Sequence, residues 1–323
     1  MNRVLRTGVL ALPLVALCAA SLSADVKTRE RTQVKLEGML GRMAGMFGGK
    51  AARDGIVTTS AVRGDRKAEM TDTTGRIVDL KEEKVYELDV RRKTYQVTTF
   101  DELRRRMREA QERAAKERAK EDPGAQRDQA EKAPELEVDF DVTETGQKKT
   151  LAGHEAREVV LTVTMRQKGR TLEDGGGFVM TSNTWLGPQI PAMNELAEFE
   201  MRYWKAIAPE AAGLSAEQMA AVMALYPMFG KAMERIQAES RKLEGTPLAT
   251  TTVFETVRSK EQLAEQKESR GGGGLGGMLA SRIMKRDDQP RSTVFTTTHE
   301  VLEVTPSVTD ADLEIPAGFK ERK

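Results

Sequence analysis

The chain has 323 residues, with 51 Lys and Arg against 50 Asp and Glu, one cysteine and two histidines. This near-neutral balance gives no electrostatic argument for a nucleic acid or an anionic membrane as a partner. A single cysteine excludes a disulfide framework within the chain. The length allows one large domain or two smaller ones.

Residues 1–24 have the composition of a secretory signal peptide. Arg3 and Arg6 form a positive segment, and the apolar run that follows at 9–20 is too short to span a membrane. No later apolar run is long enough to span one either. We therefore expect a periplasmic or secreted protein, with no transmembrane segment in the mature chain.

The only cysteine, Cys18, lies inside this leader. A lipoprotein signal needs Gly, Ala or Ser before the lipidated cysteine, and Leu17 stands there instead. The sequence therefore disfavours anchoring through Cys18, and the mature chain is expected to contain no thiol. Small residues permit cleavage after Ala20, Ser23 or Ala24.

Two segments, residues 38–55 and 271–284, combine glycine with methionine and other apolar residues. One interpretation is a pair of mobile apolar flaps, because glycine frees the backbone and unbranched methionine adapts to ligands of different shape. The alternative is that both are ordinary loops, either disordered or folded back on the core. The side chains assigned to a ligand on the flap hypothesis are Met43, Met46, Phe47 and Met278.

Alternation of apolar and polar residues between 65 and 100 predicts a four-stranded antiparallel meander with one apolar face and one wet face. The predicted apolar face carries Arg66, Ala68, Met70, Val78, Leu80, Tyr86, Leu88, Val90, Tyr95 and Val97. The predicted wet face carries Lys67, Glu69, Asp79, Glu87, Asp89, Gln96 and Thr98. Because the apolar face must be covered or used, its best-aligned members are candidate ligand contacts. These are Tyr86, Leu88, Val90, Tyr95 and Val97.

Residues 101–134 form a charged insertion. Asp101 is the candidate N-cap of a helix in which Leu103 and Met107 begin a thin apolar stripe, while its other faces carry Arg and Glu of nearly cancelling charge. Residues 121–134 have no apolar periodicity and are predicted to be a linker. With so little to bury, the whole insertion is expected to be dispensable to the fold.

Further strands are predicted on both sides of these elements, and all are expected to extend the same sheet. They are residues 25–38, 55–62, 135–145, 148–166 after a turn at Gly146, 177–188, 247–257 and 292–304.

A helical insertion is predicted at 191–243, with Pro191 in a first-turn position. Its three amphipathic segments carry apolar stripes, which need an apolar surface to lie on. The apolar face of the meander is the expected surface. Trp204, on the first segment, is a further candidate ligand contact.

Catalytic and metal-binding patterns are weak. His154 and Glu155 resemble the start of a helical zinc motif, but the second histidine is missing and the next residues are strand-like. His299 is predicted on the polar face of a strand. The glycine run at 271–277 lacks the preceding strand and the Lys-Ser/Thr pair of a phosphate loop. We therefore expect no metal, no cofactor and no enzymatic activity.

Five segments together resemble the periplasmic lipoprotein-carrier-like (LolA/LolB-like) superfamily, and within it an uncharacterised branch of exported bacterial proteins. They are GDRKAEM (64–70), KVYELDVRRKTYQV (84–97), LAGHEAREVVLTV (151–163), WLGPQIPAM (185–193) and the tail LEIPAGFK (313–320). The resemblance implies one α+β domain over residues 25–323. In it, a large antiparallel β-sheet forms a half-open barrel, with amphipathic helices packed on its concave apolar face. That face is implied to hold a lipid, an acyl chain or another apolar ligand, or an envelope partner.

The charged insertion and the two Gly/Met segments depart from the carrier pattern, so other functions stay open at this stage. The concavity could be filled by the protein's own helices, which would make the protein a structural or interaction module without a ligand. A hydrolase whose site the sequence does not reveal is a third hypothesis.

Overall fold

The computed structural model describes residues 25–37, 54–120, 135–208, 237–271 and 289–322. The strands are β1 (Val26–Leu36), β2 (Ile56–Arg63), β3 (Arg66–Met70), β4 (Thr74–Asp79), β5 (Lys84–Asp89), β6 (Thr94–Thr99), β7 (Leu136–Leu151), β8 (His154–Gln167), β9 (Gly177–Gly187), β10 (Thr246–Val257), β11 (Arg291–Thr305) and β12 (Lys320–Glu321). They form one twelve-stranded sheet in the order β12-β6-β5-β4-β3-β2-β1-β11-β10-β9-β8-β7. Neighbouring strands are antiparallel, except that β12 is parallel to β6. The predicted large antiparallel sheet is confirmed.

The helices lie between and after the strands. They are α1 (Phe100–Lys120), α2 (Leu172–Gly175), α3 (Pro191–Ile207), α4 (Lys260–Gly271) and α5 (Asp310–Leu313), with a 3-10 helix at Ser240–Leu243. The predicted helix that starts at Pro191 is confirmed. Helix α4 was not predicted, although Ser259 and Gln262 form a capping box there. The Ser259 Oγ accepts from the Gln262 amide at 3.1 Å, and the Gln262 side chain accepts from the Ser259 amide at 2.9 Å.

The meander β3–β6 is confirmed, but the faces predicted for β4 are wrong. Ile77 lies directly opposite Tyr86, and Val78 lies opposite Val85. Ile77 therefore shares a face with Tyr86, while Val78 points to the other side. Side chains alternate between the two faces of a strand, so a prediction shifted by one residue assigns every side chain to the wrong face. The meander is consequently apolar on both sides.

One side of the meander, here called the helix face, packs against α3. Phe199, Tyr203 and Ile207 are buried along α3 at a spacing of four residues, which keeps them on one side of the helix. The sheet residues buried with them are Val26, Val62, Val78 and Val85. Phe100, at the start of α1, completes this core with its ring edge-on to Tyr203 at 5.5 Å.

The opposite side, here called the tail face, is covered by the C-terminal segment. Its buried residues include Ala61, Ala68, Ile77 and Leu88, which pack with Val308 and Leu313, while Ile315 and Phe319 pack at the margin. The expectation that the helical insertion covers the face of Tyr86 and Leu88 is therefore wrong for the part that the structure describes. Since both faces of the meander are apolar, each requires its own cover.

Helix α1 contributes more than the charged pattern predicted. Thr99, not Asp101, caps it, because the Glu102 amide donates to the Thr99 hydroxyl at 3.2 Å. Leu103 and Met107 pack against the helix-face core, and Arg104 donates to the Ala206 carbonyl of α3 at 2.7 Å. These contacts argue against the expectation that the entire insertion is dispensable, for the first two turns of α1.

The turn predicted at Gly146 is a bulge inside β7. The register between β7 and β8 shifts between Glu144 and Lys148, and Gly146 has a φ of 76°. The chain reverses later, at Ala152 and Gly153, which have φ values of 46° and 81°. Strand β7 therefore continues past Gly146 to Leu151, and β7 and β8 form one long hairpin that turns at Ala152 and Gly153.

Several predictions concern residues outside the described ranges. These are the signal peptide, the linker at 121–134, the helical segments between 209 and 236, and most of both Gly/Met segments. Within the described ranges, no helix has the length and apolarity needed to cross a membrane.

Candidate functional site

The candidate site lies on the long half of the sheet, formed by β1, β11, β10, β9, β8 and β7. Residues opposite each other on neighbouring antiparallel strands share a face, so the registers arrange side chains in rows across the strands. One such row, here called the apolar row, consists of Leu36, Phe295, Phe254, Met180, Val163 and Phe140. Leu36 has the same strand phase as Val26, so this row continues the helix face beyond α3.

An aromatic pair stands in the middle of the apolar row. The rings of Phe254 and Phe295 are stacked, with centroids 4.2 Å apart and planes inclined by 23°. Both residues are half-buried. Stacked aromatic pairs fix each other's orientation and present a broad apolar surface.

The two ends of this face differ in exposure. At the end next to α3 the face is closed, because Val142, Val159 and Leu186 are buried and Leu243 of the 3-10 helix packs on them. Large apolar side chains that remain exposed on this face include Val34 at 50% and Leu36 at 36% on β1, Leu136 at 38% on β7 and Phe178 at 59% on β9. Leu136 and Phe178 line one cavity, and exposed apolar residues that adjoin in this way mark a binding surface more often than scattered ones do.

A cavity of about 390 Å³ opens at the exposed end. Its apolar lining comes from Leu136, Met165, Phe178 and Val257, together with the backbone of Gly176 and Gly177. Its polar lining comes from Arg166, Gln167, Thr256, Arg258 and Gln262. A Cβ atom on Gly177 would lie 2.1 Å from the Met165 carbonyl oxygen, so a side chain there would force β9 away from β8. The volume falls within the range of about 300–1,000 Å³ typical of small-molecule sites.

In the two rows next to the apolar row, the positions on β9, β10 and β11 are polar, whereas those on β7 and β8 include Val142, Val159 and Leu161. The polar side chains form a group, here called the hydroxyl patch, of Ser182, Thr184, Thr250, Thr252, Thr297 and His299. The Ser182 and Thr252 hydroxyl oxygens are 3.1 Å apart, and Thr250 donates to the Thr184 hydroxyl at 3.4 Å. A hydroxyl has one donor and two acceptor positions, so these pairs leave hydrogen-bonding capacity on the face.

His299 is the titratable member of the hydroxyl patch. Its Nε2 lies 3.0 Å from Oε2 of Glu30 on β1. This hydrogen bond raises the pKa of His299 and, against the opposing effect of burial, lowers the pKa of Glu30. The His299 side chain is 40% exposed, and no described residue forms a hydrogen bond with its Nδ1.

His299 was predicted on the polar face of a strand, and its neighbours across the strands are polar: it lies opposite Thr250 and Thr32. The same strand phase also carries Phe295 and the buried Val301, so this face is polar only around His299.

The structure does not bring the predicted site residues together. Tyr86, Leu88 and Tyr95 pack into the tail-face core, and Val97 lies opposite Tyr86 on the same face. Val90 follows β5 in a turn, where its amide donates to the Thr73 carbonyl at 2.9 Å. These residues form the packed interior of the meander, far along the sheet from the apolar row.

Trp204 is on the outer side of α3. It is 51% exposed and touches Tyr203, with ring centroids 5.8 Å apart. It therefore lies neither on the tail face nor on the apolar row. The remaining predicted contacts, Met43, Met46, Phe47 and Met278, fall outside the described ranges.

Charged groups are concentrated where α3 crosses the meander. Lys67 is 7% exposed, with its Nζ 2.7 Å from Glu69 and 2.5 Å from Glu200. Burial alone would lower the pKa of Lys67, but the two carboxylates outweigh it and the pKa is raised. Arg76 donates to the Tyr203 hydroxyl at 2.7 Å, and burial raises the pKa of Tyr203. These contacts attach α3 to the sheet.

Sequence reasoning missed the apolar row, although a signal for it exists. Met180, Phe254 and Phe295 each stand on the same side of their strand as other residues of the helix face. Threonine fills many of the remaining positions of these strands, on both sides. Threonine suits either face of a sheet, so the alternation is hard to detect in such strands.

No metal centre is evident in the described part of the chain, where no three His, Cys, Asp or Glu side chains come together. A comparison of the chain with protein-family models, with curated proteins and with solved structures finds no match. The geometry of the apolar row, the cavity and the hydroxyl patch is therefore the basis on which a function is assigned.

Proposed function

We propose that the protein binds an apolar ligand, such as a lipid or an acyl chain, on the long-strand part of the helix face. The observation that carries this proposal is that the apolar row leads to a cavity whose lining residue Phe178 is 59% exposed. The face is thus apolar in its interior and accessible at one end.

Leaving Phe178 and Leu136 exposed to water costs free energy. Removing a large apolar side chain from water contributes about 1.5–3 kcal/mol. A ligand chain that covers Phe178 and Leu136 recovers part of that free energy. From Thr184 to Phe178 the strand advances six residues, or about 20 Å at the usual rise. An elongated ligand fits this path better than a compact one.

On this proposal, the sheet is the wall of a half-open barrel, and the chain is a distant relative of the lipoprotein carriers that its sequence resembles. The signal-like residues 1–24 support a periplasmic or secreted location. The protein acts by binding and release, without a catalytic step or a cofactor.

A second candidate is an interaction protein whose own helices fill the face. The packing of Phe199 and Tyr203 on the meander supports it, because α3 already covers part of the helix face. The two candidates differ in what happens at the exposed end of the long strands. Only the first requires a ligand there.

Titration with cis-parinarate, a fatty acid whose fluorescence rises in apolar surroundings, tests the proposal. Phe178→Gln should weaken binding about tenfold, the equivalent of about 1.4 kcal/mol of lost apolar contact. The matched control is Trp204→Gln, because Trp204 has a similar exposed fraction but lies on α3. This control should bind the probe as the wild-type protein does.

A wild-type protein that does not respond to the probe would favour the second candidate. An equal loss in both variants would show only that the probe adsorbs to exposed aromatic rings. Native mass spectrometry of the protein purified from its own envelope then reads the mass of a natural ligand, if one co-purifies.

A further inference from the structure

We infer that the hydroxyl patch binds the polar head of the ligand, and that the ligand is an amphiphile whose head carries a hydrogen-bond-accepting oxygen. This inference rests on the proposed function and adds the chemistry of the head group. It assigns to His299 the role of the residue that contacts the head directly.

The first argument is the polarity of the face. A surface built only to hold hydrocarbon has no use for six adjoining polar side chains. Covering them without partners costs free energy, because each buried hydroxyl that loses water must find another hydrogen bond. Ser182 with Thr252 and Thr250 with Thr184 satisfy one another only in part. A ligand with a polar head satisfies the remainder.

The second argument is the hydrogen-bonding state of His299. Glu30 accepts a hydrogen bond from Thr28 at 2.9 Å and lies 3.0 Å from the His299 Nε2. An ionised carboxylate only accepts, so the Nε2 of His299 carries a proton. The Nδ1 has no hydrogen-bond partner among the described residues and is available to a ligand. In the neutral ring this Nδ1 is an acceptor. It becomes a donor to an acceptor oxygen when the ring takes up a second proton, which the hydrogen bond to Glu30 favours.

The net charge of the His299–Glu30 pair limits which head groups fit the hydroxyl patch. A protonated His299 beside an ionised Glu30 has no net charge, so the patch does not require an anion. A carboxylate and an ester carbonyl both offer the acceptor oxygen that Nδ1–H and the threonine hydroxyls can reach. Probes that differ only in whether the head is a carboxylate or an ester distinguish these two kinds of ligand.

The third argument is the distance between the polar and apolar regions. Thr250 and Phe254 are four residues apart on β10, or about 13 Å. Two more positions lead to Thr256, which lines the cavity. A head at the hydroxyl patch therefore sends its chain across the stacked Phe254 and Phe295 towards the exposed end.

The test uses the full mature protein and three fluorescent probes. These are cis-parinarate with a carboxylate head, its methyl ester with a carbonyl head, and diphenylhexatriene with no polar atom. His299→Leu removes the donor and should weaken binding of at least one headed probe about tenfold, while the affinity for diphenylhexatriene changes less than twofold. Selective loss of the acid or of the ester identifies the preferred head.

Two further variants control for folding. His299→Gln keeps an amide donor and should retain most of the affinity for the headed probes. His154→Leu, at the start of β8 and away from the patch, should bind all three probes normally.

If His299→Leu binds the three probes as the wild-type protein does, the inference is wrong and the proposed function stands. If the wild-type protein binds none of the probes, the proposed function itself fails. If His299→Leu loses all three probes equally, the loss is not specific to a polar head and the inference is overturned.

Discussion

The two halves of the sheet bury their faces to different degrees. In the meander half, the helix face is covered by α3 and the start of α1, and the tail face by the C-terminal segment. In the long half, the apolar row stays half-buried and its far end is exposed. Both halves are built from alternating strands. What distinguishes a core from a candidate binding face is therefore the presence of a cover, which strand alternation does not encode.

The halves also differ in the polar groups that share the helix face. The meander uses charges in fixed pairs, as Lys67 does with Glu69 and Glu200. The long half uses mostly hydroxyls, whose hydrogens can rotate towards a new partner, beside the pair of Glu30 and His299. Paired charges suit a permanent helix–sheet contact, whereas hydroxyls suit a partner that comes and goes.

The largest predicted effect separates the two halves by stability. Phe199→Ala removes a fully buried ring from the helix-face core and should lower the free energy of unfolding by about 3–5 kcal/mol. Phe254→Ala removes a half-buried ring from the apolar row and should cost about 1–2 kcal/mol. Urea unfolding of both variants measures the difference. Equal losses would mean that the apolar row is as much a core as the meander is.

The second prediction concerns the buried charges. Lys67→Met leaves Glu69 and Glu200 without their shared cation, but both carboxylates are more than a third exposed and can rehydrate. We therefore expect a loss of about 1–2 kcal/mol, less than for a fully buried pair. Lys148→Met in the long half is the control, because its partner Glu155 is 71% exposed, and its unfolding curve should match that of the wild type. A Lys67→Met variant as stable as this control would show that the pairing under α3 is not needed.

The sequence predicted the elements of the fold better than their packing. Period-two alternation located the meander strands, and Pro191 marked the start of α3. Alternation could not decide between Ile77 and Val78, because both are apolar and both are buried, on opposite faces. A strand buried on both sides has no wet face from which to read its phase.

The covers were harder to predict, because they come from distant parts of the chain. Leu313 packs on Leu88 and its neighbours from the other end of the sequence. A four-residue helix and an irregular tail carry no strong periodic signal. Tyr86 and Leu88 were predicted to contact a ligand because they are apolar. They are apolar because they belong to the core that the C-terminal segment covers.

The third prediction uses pH to test the link between His299 and Glu30 across β11 and β1. The raised pKa of His299 stabilises the fold below its ordinary value of 6.5, and this contribution is lost as the pH rises through the raised pKa. The lowered pKa of Glu30 stabilises the fold above its ordinary value of 4.5, and this contribution is lost as the pH falls through the lowered pKa. The pair therefore contributes most between these two ordinary values.

Unfolding in urea at pH 5.5 and pH 8.5 measures this contribution. Because the His299 side chain is 40% exposed, solvent screening limits it to about 0.5 kcal/mol. His299→Gln should remove this part of the pH dependence and leave the rest. A variant with the same pH dependence as the wild type would show that the pair is not formed in solution.

The smallest expected effect tests how far α1 acts as a cover of the meander. Its side chains pack on the core through Leu103 and Met107, whereas those at 108–114 are exposed. Replacing residues 119–134 by a shorter Gly/Ser linker changes mainly the loop-closure entropy, so stability should shift by about 0.3 kcal/mol. Met107→Ala, on the same helix, should cost about 1 kcal/mol because it removes a side chain from the core. Urea unfolding of both proteins measures the contrast. A linker replacement more damaging than Met107→Ala would show that the cover extends beyond the second turn of α1, and that the meander half is enclosed by more of the chain than its core contacts indicate.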